Sequence, residues 1–193
     1  MADINYPGTP QSRANLTDGP QKTNRPSGDI AQNREPEPTW DLIELLFFAY
    51  RDFVAEADHV LEALAFGRAH HRVLHFINRN PGINVADLLD ILRITKQSLG
   101  RVLTALVDQN YVEQRAGPRD RRQRLLHVTS KGQALALQLA HLQTMRIERA
   151  LAEFAPGERA AARAFLVAMV DAEDRDHVTK LIAKGYSRRS PQD

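Results

Sequence analysis

Three residues, Arg93, Ile94 and Thr95, separate two short helical patterns, and that spacing constrains the chain more than any other feature. The first pattern, VADLLDIL at 85–92, follows Asn84, a good N-cap, with Asp87 in its first turn. The second, KQSLGRVLTALVDQN at 96–110, follows Thr95, which suits the same capping position. Two short helices joined by so tight a turn make a helix-turn-helix candidate. The periodicity then changes. Tyr111 to Arg115 and Arg124 to Thr129 read as strands by composition, with Gly117 and Pro118 in the turn between them. Two helices followed by a two-stranded hairpin form a winged helix-turn-helix.

The segments outside this module are helical and exceed what such a module needs. Thr39, as N-cap, opens a single helix over 40–66, in which Leu42, Leu45, Leu46, Phe48 and Phe53 cannot all share one stripe. A helix that apolar belongs to a core or to a subunit contact. RAHHRVLHFINRN at 68–80 is a further helix, stopped by Pro81-Gly82. Ser130 with Gln133 reads as a capping box for a long helix through about Phe154. Pro156-Gly157 breaks it, and a last helix from about Glu158 carries Phe165, Leu166, Met169 and Val170. The expected class is mainly α: a winged module at 68–130, with a helical dimerisation region at 39–66 and 131–184. Residues 1–38 hold six of the ten prolines and almost no large apolar side chains, so that tail is expected to be disordered.

Charge is unevenly spread along the 193 residues. Residues 68–131 carry twelve Lys and Arg against five Asp and Glu, whereas the remainder carries fourteen against nineteen. A basic block within a folded region is an electrostatic footprint for a polyanion. The absence of cysteine excludes disulfides, thiolate catalysis and a cysteine redox switch. No apolar run is long enough for a bilayer, and no secretory leader is visible, so a cytoplasmic protein is expected. No nucleophile–base pairing, phosphate loop or dinucleotide fingerprint suggests an enzyme, and no cofactor is expected.

The second helix of the pair carries the chemistry. Leu99, Val102, Leu103, Leu106 and Val107 mark its buried face. Gln97, Ser98, Arg101 and Thr104 lie on the other side, with Thr95 and Lys96 at the start and no acid before Asp108. Gln and Arg can read base edges in a major groove, while Ser, Thr and Lys suit phosphate. The wing tip adds Arg119, Arg121, Arg122 and Arg124 within six positions. Such a cluster repels itself unless it lies against phosphates or in a narrow minor groove. Asp120 is placed to brace the tip by pairing with Arg122.

The run from Arg68 to Gly132 resembles the MarR family of bacterial transcription regulators. The resemblance rests on HRVLHFI at 71–77, on the helix-turn-helix and first strand at 85–115, on Asp120-Arg121-Arg122 in the wing, and on TSKG at 129–132. It implies a homodimer formed by the outer helices, binding to a pseudo-palindromic double-stranded DNA site, and in many members release of DNA by a small anionic or aromatic effector. The expected function is therefore sequence-specific transcription regulation by a ligand-responsive repressor. The alternative is a winged-helix module that binds protein or RNA without operator specificity. His71 and His75, four apart beside His70, have a spacing that can hold a metal, but His59, His141 or His177 would have to arrive through the fold as a third ligand. Local packing is the simpler reading, and no metal is expected.

Overall fold

A computed structural model describes residues 37–118, 123–155 and 157–187. The chain divides into two units, Met1–Pro38 and Thr39–Asp193, and the described helices and strands all lie in the second. The tail expected over 1–38 falls outside the described residues apart from Glu37 and Pro38, and so does the wing tip, Arg119 to Arg122.

In chain order the elements are α1 (Trp40–Glu62), α2 (Arg68–Arg79), β1 (Ile83–Asn84), α3 (Val85–Leu92), α4 (Lys96–Asp108), β2 (Val112–Ala116), β3 (Arg124–Val128), α5 (Ser130–Leu151), α6 (Glu158–Ala168) and α7 (Arg175–Ser187). The strands form an antiparallel sheet in the order β1-β3-β2. Strand β2 runs against β3 from Val112 opposite Val128 to Ala116 opposite Arg124, and β1 sets Ile83 opposite Leu126. The core gathers side chains from α1 to α5 and from the sheet: Leu61, Leu74 and Ile77, Leu88, Leu99 and Leu106, Leu126 and Leu139 are all fully buried. Each such side chain contributes roughly 1.5–3 kcal/mol by leaving water.

Several expectations are corrected. The first helix ends at Glu62 rather than near residue 66. Ala65 turns left-handed (φ 55°), its N–H donates to the Glu62 carbonyl, and the Phe66 N–H reaches back to the Leu61 carbonyl at 2.9 Å. This is a Schellman-type close in which buried Phe66 and Leu61 sit at the two ends of the longer bond. Thr39 makes no side-chain cap; its carbonyl simply accepts from the Ile43 N–H. The wing has a third strand, β1, too short to show as a pattern. Strand β2 starts at Val112, one residue later than expected; β3 ends at Val128, one earlier, and α4 ends at Asp108. The cap of α5 is Thr129, not Ser130: its hydroxyl accepts the Gly132 N–H at 3.0 Å and donates to the Asn110 carbonyl at 2.7 Å.

The expected single last helix is two, α6 and α7. Arg175 ends the first by donating to the carbonyls of Ala168 and Val170, both at 2.8 Å. The acid-rich DAEDRDH at 171–177 therefore straddles the break between α6 and α7.

Gly132 explains the TSKG step. A methyl group there would overlap the Tyr111 carbonyl, so the first turn of α5 lies directly on the chain leaving α4. Lys131 closes the same joint, donating to the Gln109 carbonyl at 3.0 Å with its ammonium 4.1 Å above the Tyr111 ring.

Candidate nucleic-acid interface

The helix-turn-helix is held by local chemistry at both of its helix starts. Asn84 accepts the Asp87 N–H at 2.9 Å and opens α3. Arg93 closes α3 in a left-handed conformation (φ 52°, ψ 44°), its N–H donating to the Leu89 carbonyl at 2.9 Å. Thr95 then caps α4 by accepting the Ser98 N–H at 3.2 Å. Leu99, Val102, Leu103 and Leu106 are buried beneath the helix, which fixes which side faces out.

Of the residues expected to meet DNA on this helix, Thr95, Lys96, Gln97, Arg101 and Thr104 are exposed and Ser98 is half-buried. Thr95 and Ser98 are not equivalent, because the Thr95 hydroxyl donates its proton to the Ser98 hydroxyl at 3.0 Å while accepting the backbone N–H. That leaves Thr95 without a proton to give, whereas the Ser98 hydroxyl hydrogen is not used in this pair. Lys96, Gln97, Arg101 and Thr104 have no hydrogen-bond or ion-pair partner among the described residues. Unpaired donors on one exposed face of a rigid helix are available to a ligand at no cost in broken contacts.

In the wing, Arg124 is exposed at the start of β3, opposite Ala116, and the Gly117 N–H donates to the Gln123 carbonyl at 2.9 Å where the strands part. Arg115 is held differently, since its guanidinium pairs with Glu113 two residues back on the same strand. Arg119, Asp120, Arg121 and Arg122 lie outside the described residues, so the bracing pair of Asp120 with Arg122 does too.

The structure also brings together a set of groups that the sequence reading did not place together. Between α1, α2 and α5 lies a cavity of about 440 Å³ lined by Tyr50, Phe53, Arg68, His71, Arg72 and His75, among others. Arg68 and Arg72 are four apart, as are His71 and His75; the doubled spacing was the available signal. Arg68 Nε donates to Asp58 at 2.8 Å, while the second carboxylate oxygen of Asp58 is buried without a partner. Burial pushes the His71 imidazole below its usual range, with the Asp58 charge opposing that shift. Burial lowers His70 as well, and its Nδ1 accepts the Gly67 N–H at 3.1 Å. Among the described residues, no three His, Asp or Glu side chains converge as a metal site would need.

A winged helix-turn-helix with an unpaired polar face on its second helix, flanked by helical extensions at both ends, is the architecture of a winged-helix regulator. The comparisons narrow the class. Residues 66–123 match the model of the MarR family. The HTH-type transcriptional regulator PetP of Rhodobacter capsulatus is 43% identical over 159 residues, which cover 82% of this chain and 96% of that one. The chain belongs to the MarR family of transcriptional regulators, which are not enzymes. Solved structures agree on the fold. FabT of Streptococcus pneumoniae, crystallised in complex with DNA, superposes with a TM-score of 0.62 at 17% identity over 68% of this chain and 94% of that one. The reduced form of MarR from E. coli gives 0.54 at 23% identity, over 71% and 99%.

Proposed function

We propose that the protein is a homodimeric, sequence-specific regulator that inserts α4 into the major groove of duplex DNA. The observation that carries this reading is the α4 face: Lys96, Gln97, Arg101 and Thr104 exposed and unpaired, with no acid before Asp108. Gln97 and Arg101, one turn apart, read base edges; Lys96, Ser98 and Thr104 meet phosphates, and Thr95 orders the helix start. Arg124 and the tip arginines Arg119, Arg121 and Arg122 supply charge along the flanking groove, and Asp120 holds the tip in shape. The crystallisation of FabT with DNA supports the same reading by likeness of fold.

The second copy covers the apolar surface of the outer helices. Trp40 is 64% exposed, Phe47 68% and Leu166 63%, and α6 buries none of its residues in one chain. Such an area is unstable in water unless a partner lies on it. The cavity beside α2 takes the effector, and its aromatic walls and guanidinium groups fit an aromatic carboxylate, whose occupancy would favour a DNA-released repressor. Regulation of this kind takes place in the cytoplasm; no helix among the described residues is long and apolar enough to cross a membrane.

The test is to sequence the genomic fragments the protein retains and then to compare variants on the best site and on random duplex. Gln97→Ala or Arg101→Ala should cost about 1–3 kcal/mol on the best site and much less on random DNA. Arg124→Ala should weaken both alike and flatten the salt dependence by about one unit of slope. Equal losses on both duplexes for Gln97→Ala and Arg101→Ala would remove the base-reading role of α4. Retention of RNA or protein with no duplex would favour an interaction module instead.

A further inference from the structure

Gly100 sits in the middle of α4, between the proposed base-reading pair and the buried face, and nothing among the described residues explains it. Its backbone is right-handed helical, so no unusual dihedral demands glycine. It is exposed, and a methyl group built there would meet no atom within 4 Å. Gly132 is the contrast, since there the Tyr111 carbonyl leaves no room for a side chain. Glycine is the weakest helix former after proline, so position 100 gives up stability without a packing reason. Lys96 and Thr104 lie one turn before and one turn after it. A groove of about 350 Å³ opens along this stripe, lined also by Val85, Gln114 and, one turn beyond Thr104, the acid Asp108 that ends the helix. Lys96 and Thr104 offer an ammonium and a hydroxyl, the donors suited to a phosphodiester, on either side of a position with no side chain.

We infer that Gly100 is a clearance notch: a sugar–phosphate strand of duplex DNA seats against its Cα, between Lys96 and Thr104. The inference rests on the DNA reading of α4 given above, and it adds steric exclusion as a determinant of affinity. A side chain at 100 would hold the strand away from both donors.

The experiment uses the full chain with Gly100→Ala and Gly100→Leu, read by thermal melting and by binding to the best retained fragment and to random duplex. Gly67→Ala, at an exposed glycine outside α4, is the control and should leave DNA affinity unchanged. Gly100→Ala should raise Tm by about 2–4 °C, because it improves the helix. It should weaken binding to both duplexes by roughly five-fold or more, the scale of one lost contact, with a larger loss for Gly100→Leu. A higher Tm with unchanged DNA affinity would overturn the notch, and so would a lower Tm, which would mean that the protein itself requires the glycine. A loss confined to the best site would place a base edge there and overturn the strand assignment. Failure of the unaltered protein to bind either duplex would overturn the DNA reading and the notch with it, an outcome distinct from any effect of the variants.

Discussion

The guanidinium of Arg93, in the turn of the helix-turn-helix, lies 2.8 Å from the carboxylate of Asp174, 81 residues further along the chain. Nearby, His177 of α7 stands 3.8 Å from Asp90 of α3. The C-terminal segment is thus tied by the Arg93–Asp174 ion pair to the turn that leads into α4. Both partners of the closer pair are in contact with solvent, Arg93 68% and Asp174 31% exposed, so screening limits the energy. A double-mutant cycle of Arg93→Ala and Asp174→Ala should give a coupling of about 0.2–1 kcal/mol that shrinks as salt rises. A coupling above that range, or one insensitive to salt, would mean that the pair is shielded in the assembled protein.

Assembly is the second prediction. Light scattering at micromolar concentration should give a dimer, with no stable monomer. Leu166→Asp places a charge in the proposed contact and should yield monomer or aggregate, because a buried unpaired carboxylate costs several kcal/mol. A Leu166→Asp protein that remained a dimer of unchanged Tm would show that α6 faces water.

Ala65 provides a prediction of increased stability. Its left-handed conformation (φ 55°) costs a residue with a side chain about 1–2 kcal/mol, and glycine avoids that cost while losing some chain entropy. Ala65→Gly should therefore stabilise the protein by roughly 0.5–1 kcal/mol, seen as a rise in Tm or in the denaturant midpoint. A fall in either would mean that the Ala65 methyl makes packing contacts worth more than the strain.

The buried imidazole of His71 sets a dependence on pH. Burial lowers its pKa in the folded state below that of the unfolded chain, so near and below pH ~6.5 the unfolded chain binds more protons. The contribution is fully present above pH ~6.5 and is lost as pH falls through the folded value. The lowered carboxyls, Asp52 beside Arg51 and Glu148 beside Arg159, act in a more acidic window. Melting from pH 7.5 down to 5 should show a decline that His71→Gln reduces. His70 is lowered as well, so some decline should persist in that variant. An identical pH profile for the His71→Gln protein would assign the whole effect elsewhere.

The helix starts around the site could be read from sequence because the caps are chemical: Asn84 and Thr95 each carry an oxygen where a free N–H needs one. The ends of α1 and α4 could not, although that of α3 at Leu92 could. Ala65 and Asn110 turn left-handed where glycine is the usual marker, so α1 and α4 were expected to run on to residues 66 and 110. Tertiary contacts decide these turns. The Tyr111 N–H returns to the Leu106 carbonyl at 2.8 Å, and the Phe66 and Tyr111 rings then meet edge to face at 5.2 Å, a contact no local pattern encodes. The exposed face of α4 was readable because its buried leucines and valines recur at helical spacing. The cavity between α1, α2 and α5 was not, since Tyr50 and Phe53 come from α1 and the basic groups from α2, and only packing brings them together.

The contact of Gly132 with the Tyr111 carbonyl has a mechanical consequence. The start of α5 rests on the chain just beyond α4, and Thr129 and Lys131 bond to the carbonyls of Asn110 and Gln109, so the joint has no slack. A tilt of α5 would carry the end of α4 with it. In the proposed two-fold assembly held by the outer helices, a few degrees at this pivot would become ångströms between the two copies of α4, as the tips of a pair of calipers part, so the proposed DNA contacts would be sensitive to the spacing of successive grooves.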